Sequence, residues 1–149
     1  MKLKLMLTLL LGLALAACNK DTDDRTDEEK ILDYLTENNL TADRHETGLY
    51  YNIEEAGSND RPTLSDSVTV RYKGTLLDGQ VFDQTQGNAT VTFPLENLIP
   101  AWQVGIPLIG KGGAITLYSP SNLGYGNRSV RTIPAGSVLI FEIDLVDFK

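Results

Sequence analysis

The feature that most constrains the fold is an alternating segment at residues 68–76, followed at once by a turn. Apolar or small side chains occupy every second position, at Val68, Val70, Tyr72, Gly74 and Leu76. This alternation is typical of a half-buried β-strand, because successive side chains of a strand point to opposite faces. Asp78-Gly79 then predicts a hairpin turn, since glycine readily adopts positive φ and aspartate bonds its own backbone. The returning strand carries Phe82 and Asp83 towards the same core as Tyr72.

Short runs elsewhere in the chain predict the rest of the architecture. Further strands are predicted at residues 49–55, 91–95, 114–118 and 138–146. Pro100 suits the first turn of a short helix that ends near Gly105. Thr26 and Glu29 form a capping-box pattern before an apolar stripe, which predicts an N-terminal helix over residues 27–38. The sequence therefore predicts an α+β fold in which a twisted antiparallel sheet of about five strands wraps around one short α-helix.

Length and composition are compatible with one domain and argue against several classes of function. The chain has 149 residues, of which 42% are hydrophobic, and a formal net charge of −7. Negative charge without a basic stripe argues against nucleic-acid binding, which depends on neutralising phosphates. Cys18 is the only cysteine, so no disulfide forms within the chain. His45 is the only histidine and has no second histidine or cysteine nearby, so we expect a surface residue and no metal site.

The first residues have the pattern of a targeting segment. Residues 1–17 combine two lysines with an apolar run that is too short to span a bilayer comfortably, which is typical of a signal peptide. The run ends in Leu15-Ala16-Ala17-Cys18, which resembles the lipobox of bacterial lipoproteins, where the cysteine is lipidated. An ordinary cleaved leader followed by a chance cysteine is the alternative. Residues 18–26 are typical of an acidic flexible tether. The pattern predicts a lipid-anchored protein of the bacterial cell envelope, at the periplasmic face or the cell surface.

A signature segment and five further segments in order carry a resemblance to a known family. Residues 68–85 contain the pattern V-x-Y-x-G-x-L-x-D-G-x-x-F-D, and it is followed by L-I-P-A-W, Y-S-P, Tyr125-Gly126, I-P-A-G and L-I-F-E-I-D-L. Together they resemble the FKBP-type peptidyl-prolyl cis-trans isomerases. The resemblance covers residues 47–149, so residues 27–46 are expected to form a short helix and a linker. Because this segment is much shorter than the dimerisation arms of longer secreted relatives, we expect a monomer.

The resemblance implies a set of site residues. The catalytic positions that it assigns are Tyr72, Phe82, Asp83, Ile99, Trp102, Tyr125 and Phe141. It also assigns substrate contacts to Leu98, Val91 and Ile133. Trp102 would form the floor of an aromatic pocket, the Ile99 N–H would hold a substrate carbonyl, and the Tyr125 hydroxyl would donate at the loop. The family needs no cofactor, acts on proline-containing polypeptides and is a target of macrolide inhibitors.

Two departures from the family pattern concern the rim of the pocket. Val91 stands where the family usually has an aromatic residue, and Thr132 stands where an aliphatic residue is common. Arg128 and Arg131 place positive charge near the pocket mouth. The expected activity is acceleration of Xaa-Pro isomerisation during the folding of exported or membrane-associated proteins. The alternative is a proline-peptide binding or chaperone module with little turnover.

Overall fold

A computed structural model of the chain describes residues 23–149, and within them one antiparallel sheet forms the framework. Its strands are β1 Asp43–Arg44, β2 Tyr50–Glu55, β3 Ser67–Leu76, β4 Val81–Gln84, β5 Val91–Pro94, β6 Gly113–Ser119 and β7 Leu139–Phe148. The spatial order is β1-β2-β6-β7-β3-β4, and β5 also pairs with β3. In the same described part of the chain, two α-helices accompany the sheet: α1 Asp27–Glu37 and α2 Pro100–Gly105.

The predicted fold class is confirmed, whereas the predicted number of strands is too low. The sheet has seven strands instead of about five. One additional strand is β1, whose two exposed residues provide no alternation that a sequence pattern could reveal. By contrast, β4 is the returning strand of the hairpin that the sequence predicts, and its turn contains Gly79, where φ is 86°. The predicted bounds of α2 agree with the structure at both ends.

The main core lies between the sheet and α2. Its fully buried members come from β3, β6, β7 and the segment around α2, and they include Val68, Val70, Leu95, Ile106, Ile109, Leu117, Leu139 and Leu145. Helix α2 approaches the sheet closely because Gly105 has no side chain: a Cβ built there would lie 2.5 Å from Cδ2 of Leu117. The short helix is therefore held close against one face of the sheet.

Helix α1 packs on the opposite face of the sheet, where a second apolar cluster lies. Ile31 and Leu35 of α1 are buried against Tyr50, Tyr118 and Ile140. These sheet residues alternate along their strands with residues of the main core, as the two faces of a strand require. The capping box is present, since the Thr26 N–H donates to Glu29 Oε2 at 2.7 Å and the Glu29 N–H donates to Thr26 Oγ1 at 3.2 Å. The helix ends at Glu37, one residue before the predicted end.

Two predictions concern the membrane and the first residues of the chain. Residues 1–22, with the predicted signal peptide and Cys18, lie outside the described residues. Within residues 23–149, neither α-helix combines the length and apolar character needed to cross a bilayer.

Candidate active site

A cavity of about 320 Å³ opens between α2, the β3–β4 hairpin, β5 and the loop that precedes β7. Its lining consists of Tyr72, Phe82, Asp83, Phe93, Asn97, Leu98, Ile99, Trp102, Tyr125, Val130, Arg131, Thr132, Ile133 and Phe141. Most of these side chains are aromatic or aliphatic. The polar and charged members lie mainly on the hairpin and on the long loop, so the cavity has an apolar interior and a polar rim.

Trp102 is the buried centre of an aromatic cluster. Pro100 starts α2 with Ile99 as its N-cap, which places Trp102 on the first turn of the helix. Its ring lies edge-to-face with Tyr72 at a centroid distance of 5.1 Å, with Phe141 at 5.5 Å and with Phe93 at 6.4 Å. Perpendicular arrangements at these distances are favourable, because the positive edge of one ring meets the negative face of the next. The four rings thus form a rigid floor and walls.

Phe82 completes the walls because Gly74 leaves room for its ring. Gly74 lies between Asp83 of β4 and Phe141 of β7 in the sheet register. A Cβ at position 74 would lie 2.5 Å and 2.6 Å from two carbons of the Phe82 ring. Phe82 and Phe141 are edge-to-face at 5.6 Å. The glycine of the Y-x-G pattern is therefore a packing requirement of the cavity.

The acidic group at the rim is held by two hydrogen bonds. The Tyr72 hydroxyl donates to Asp83 Oδ2 at 2.7 Å, and the Gln84 N–H donates to Asp83 Oδ1 at 3.0 Å. Burial and the bond to Asp83 raise the pKa of Tyr72. Burial, with a smaller contribution from the charge of Asp83, also raises the pKa of Tyr125. Both hydroxyls are therefore neutral at physiological pH; the Tyr72 proton is used in the bond to Asp83, and the Tyr125 hydroxyl can donate to a bound molecule.

A compact loop structure positions Tyr125. The loop begins with a 3₁₀-helix at Ser121–Leu123, and the Gly126 N–H donates back to the Ser121 carbonyl at 2.7 Å. The Ser121 N–H in turn donates to Asp27 Oδ2 of α1 at 2.7 Å. Helix α1 is thus bonded directly to the segment that carries Tyr125, although the two are 94 residues apart.

Two donors of the site have no partner within residues 23–149. The Ile99 N–H donates to no backbone or side-chain acceptor there, and Trp102 Nε1 is buried without a hydrogen-bond partner. Leaving a buried donor unpaired costs about 1–3 kcal/mol. A bound molecule that supplies carbonyl oxygens would recover part of this free energy.

The cavity brings together every pocket residue that the sequence assigns except Val91. Val91 pairs with Val70 and packs into the core, outside the cavity lining. The correction is Phe93, which shares a face of β5 with Val91 but lies about 7 Å further along the strand. Its ring contacts Tyr72 and Trp102, so an aromatic wall is present at this edge. The alternation of Val91, Phe93 and Leu95 in the sequence is the pattern from which Phe93 could have been assigned to the cavity.

Four other lining residues carry no assigned substrate contact from the sequence. They are Asn97, Val130, Arg131 and Thr132. Asn97 directly precedes Leu98, and the other three directly precede Ile133. Whether these residues line the cavity depends on the path of two irregular segments. Residue periodicity does not predict the path of such segments.

Comparison with known proteins finds a family model and relatives that match this chain. A family model described as FKBP-type peptidyl-prolyl cis-trans isomerase matches residues 58–146. The FKBP-type peptidyl-prolyl cis-trans isomerase FkpA of Escherichia coli K12 is 46% identical over 105 residues, which cover 69% of this chain and 38% of the relative. The probable FKBP-type isomerase FkpA of Neisseria meningitidis serogroup B is 40% identical over 128 residues, covering 83% of this chain and 47% of the relative.

A solved structure shows the same fold. The crystal structure of FkpA from Escherichia coli superposes with a TM-score of 0.75 at 39% identity, covering 83% of this chain and 59% of that one. This chain matches less than half the length of the two sequence relatives named above. Since the family model covers more than half of this chain, the protein belongs to the FKBP-type peptidyl-prolyl cis-trans isomerase family.

Proposed function

We propose that this protein is a peptidyl-prolyl cis-trans isomerase that acts on proline-containing polypeptides. The observation that carries the proposal is the cavity itself: three aromatic rings, of Tyr72, Phe93 and Phe141, lie edge-to-face with Trp102, and hydrogen-bond donors are present at Ile99 and Tyr125. An apolar cavity of about 320 Å³ has the size of a small-ligand site and accommodates a proline ring with parts of its neighbours.

The reaction needs a pocket that prefers a twisted amide over a planar one. Rotation about the peptide bond has a barrier of about 18–20 kcal/mol, because partial double-bond character is lost. The uncatalysed Xaa-Pro step therefore takes tens to hundreds of seconds. The planar amide is charge-separated and is stabilised by water, whereas the twisted amide loses that polarity. An apolar pocket thus lowers the barrier by favouring the transition state over the ground state.

Each group of the pocket has a role in this scheme. The ring cluster around Trp102 holds the proline ring while the acyl side rotates. The Ile99 N–H and the Tyr125 hydroxyl bind substrate carbonyls and fix the two ends of the rotating bond. Asp83, held by Tyr72, meets the carbonyl side of that bond and orients the polar rim. No nucleophile and no proton transfer are required.

The test is turnover of an Xaa-Pro peptide in a protease-coupled or NMR-exchange assay. The parent protein should accelerate isomerisation, and the double variant Asp83→Ala, Tyr125→Phe should lower kcat/KM at least tenfold without unfolding. Tyr34→Phe, on the opposite face of the sheet, is the matched control and should leave kcat/KM unchanged. A folded double variant that is as active as the parent would show that the site is assigned incorrectly. If the parent binds proline peptides without accelerating their isomerisation, the alternative of a binding or chaperone module is favoured.

We also propose that Cys18 is lipidated and anchors the domain to the bacterial cell envelope, where its substrates would be exported or membrane-associated proteins. The support is the leader pattern at residues 1–17 and Leu15-Ala16-Ala17 before the cysteine. Acyl chains contribute about 0.8 kcal/mol per buried CH₂, so more than one chain holds a soluble domain on a membrane. In cells given labelled fatty acid, the parent should incorporate label and Cys18→Ala should accumulate as an unlabelled precursor. Normal processing of Cys18→Ala would favour an ordinary leader.

Two expectations about partners belong to the same proposal. Because α1 covers the outer face of the sheet with Ile31 and Leu35, we propose a monomer, which sedimentation at micromolar concentration would test. We also propose that macrolide inhibitors bind the cavity. Trp102 is the only tryptophan of the chain, so a change in its fluorescence on titration would report such binding.

A further inference from the structure

A tight turn at the rim of the cavity carries an arginine in an unusual backbone conformation. Val130 and Ile133 form a two-residue turn: the Val130 N–H donates to the Ile133 carbonyl at 3.0 Å, and the Ile133 N–H donates to the Val130 carbonyl at 2.9 Å. Arg131 is the first of the two central residues, and its φ is 53°. Turns of this size favour glycine or asparagine where φ is positive.

Among the described residues, arginine is exceptional at a position with positive φ. Nine residues in the described part have positive φ: seven are glycines, one is Asn39 and the last is Arg131. An L residue with a long side chain is disfavoured in this conformation. Backbone turn formation therefore does not explain the arginine, whereas a role for its side chain does.

The environment of Arg131 points to a ligand. It lines the cavity and is exposed, and no carboxylate within residues 23–149 lies within ion-pair distance of it. Its positive charge acts on Tyr72, where it opposes the effects of burial and Asp83 on the pKa of that hydroxyl. The rim of the cavity is therefore dipolar, with a carboxylate at Asp83 and a guanidinium at Arg131 that do not neutralise each other in a salt bridge.

We propose that Arg131 determines substrate specificity by favouring polypeptides with an acidic residue next to the proline. The inference rests on the proposed function of the cavity and names the substrate class that this cavity prefers. A carboxylate beside the bound proline would pair with the guanidinium at the rim. A lysine in the same place would be repelled by Arg131, so the preference follows the charge of the substrate.

The experiment uses matched peptides in which one residue beside the proline is Glu, Gln or Lys, with both the preceding and the following position tested. At low ionic strength, kcat/KM for Glu should exceed that for Gln at one of the two positions by about threefold, as expected for a partly exposed ion pair. The order should be Glu, then Gln, then Lys. Salt at about 0.5 M should reduce the ratio, because exposed charges are screened within a few ångströms at that concentration.

Three variants identify the residue responsible. Arg131→Gln and Arg131→Gly should both bring the ratio of kcat/KM for Glu to kcat/KM for Gln down to one, whereas Arg131→Lys should keep part of the preference for Glu. Arg128→Gln is the matched control, because Arg128 is an exposed arginine of the same loop that does not line the cavity, and the ratio should persist there. The proposal would be overturned if Arg131→Gln kept the parental Glu-to-Gln ratio, or if the parent itself had a ratio of one. Equal losses in Arg131→Gln and Arg128→Gln would also overturn it, because they would indicate a general effect of loop charge.

Binding measured through Trp102 fluorescence separates this inference from the proposed function. If the parent binds the Glu peptide about threefold more tightly but does not accelerate isomerisation, the specificity inference stands and the proposed catalysis fails. If the parent isomerises all peptides equally and binds them equally, catalysis stands and the specificity inference fails.

Discussion

Replacing Gly74 by alanine is the smallest change that tests how the aromatic cavity is built. The added methyl group would lie 2.5 Å and 2.6 Å from Cε2 and Cζ of Phe82 and 3.2 Å from a ring carbon of Phe141. Contacts below 3.0 Å are not tolerated, so a ring has to move. Phe141 is buried in the sheet, whereas Phe82 is half-buried. We therefore expect Phe82 to rotate outwards.

The magnitude follows from what Phe82 would lose. Its edge-to-face contact with Phe141, at 5.6 Å, has the geometry of pairs that contribute about 0.5–1.5 kcal/mol. Strain from overpacking typically costs about 1–3 kcal/mol. We expect the free energy of unfolding to fall by about 1.5–4.5 kcal/mol in total. In a domain of this size, each kcal/mol lowers Tm by about 4 °C, so the shift should be about 6–18 °C.

The cavity should lose function as well as stability. If the displaced ring covers about 40 Å² less of a bound proline, binding in the transition state weakens by about 1 kcal/mol at 25 cal/mol per Å². That corresponds to about a fivefold fall in kcat/KM. Tm by calorimetry and kcat/KM on one Xaa-Pro peptide, measured well below Tm, report the two effects separately.

Gly79→Ala is the matched control, since it makes the same chemical change in the same hairpin. Gly79 has φ of 86° and no atom within 4 Å of an added Cβ, so only backbone strain of about 1–2 kcal/mol is expected. Its Tm should fall while its kcat/KM stays at the parental value, because Gly79 does not line the cavity. A stable Gly74→Ala protein with parental kcat/KM would refute the steric reasoning and the role of Phe82.

Three further predictions concern the polar rim and its supports. Tyr125→Phe keeps the ring and deletes one donor, so kcat/KM should fall about threefold to tenfold while Tm changes by less than about 3 °C. Tyr72→Phe should lose less stability at alkaline pH than the parent. Burial and the bond to Asp83 raise the pKa of Tyr72 in the folded protein, so the stability that this hydroxyl contributes is complete below about pH 10 and is lost as the pH rises further. Tm measured from pH 8 to 12 would show the difference. Asp27→Ala removes the acceptor for the Ser121 N–H, so KM should rise about twofold to threefold with kcat less affected, because the loop before Tyr125 loses its tie to α1.

Each of these predictions has an outcome that contradicts it. Parental kcat/KM for Tyr125→Phe would exclude the hydroxyl as a substrate donor. Equal alkaline slopes for Tyr72→Phe and the parent would show that another group controls stability at high pH. For Asp27→Ala the control is Asp33→Ala, which removes a carboxylate of the same helix that is exposed and pairs with Arg25. An equal rise in KM in both variants would indicate a general effect of α1.

Much of the framework is determined by local patterns in the sequence. The alternation at residues 68–76 and the Asp78-Gly79 turn predicted β3 and its hairpin, because side-chain direction in a strand depends only on position along the chain. Pro100 predicted the start of α2, since proline is accepted only in the first turn of a helix. Thr26 and Glu29 predicted the capping box of α1 for a similarly local reason.

Other features needed the tertiary structure because they depend on residues that are distant in the chain. The choice of Phe93 over Val91 as the aromatic wall depends on where along β5 the cavity opens, and both residues lie on the same face of that strand. The two-residue strand β1 exists only because β2 lies beside it, since two residues carry no periodicity.

The support of the active-site loop is the clearest example of this division. The sequence determined that Tyr125 follows a proline- and glycine-containing loop and that Asp27 begins a helix. Only the folded chain places the Asp27 carboxylate 2.7 Å from the Ser121 N–H and leaves Arg131 without an ion-pair partner among the described residues. Hydrogen bonds and ion pairs require distances of a few ångströms, and packing of the sheet between two apolar clusters sets those distances. Local patterns specify which groups exist, and the long-range packing decides which of them meet.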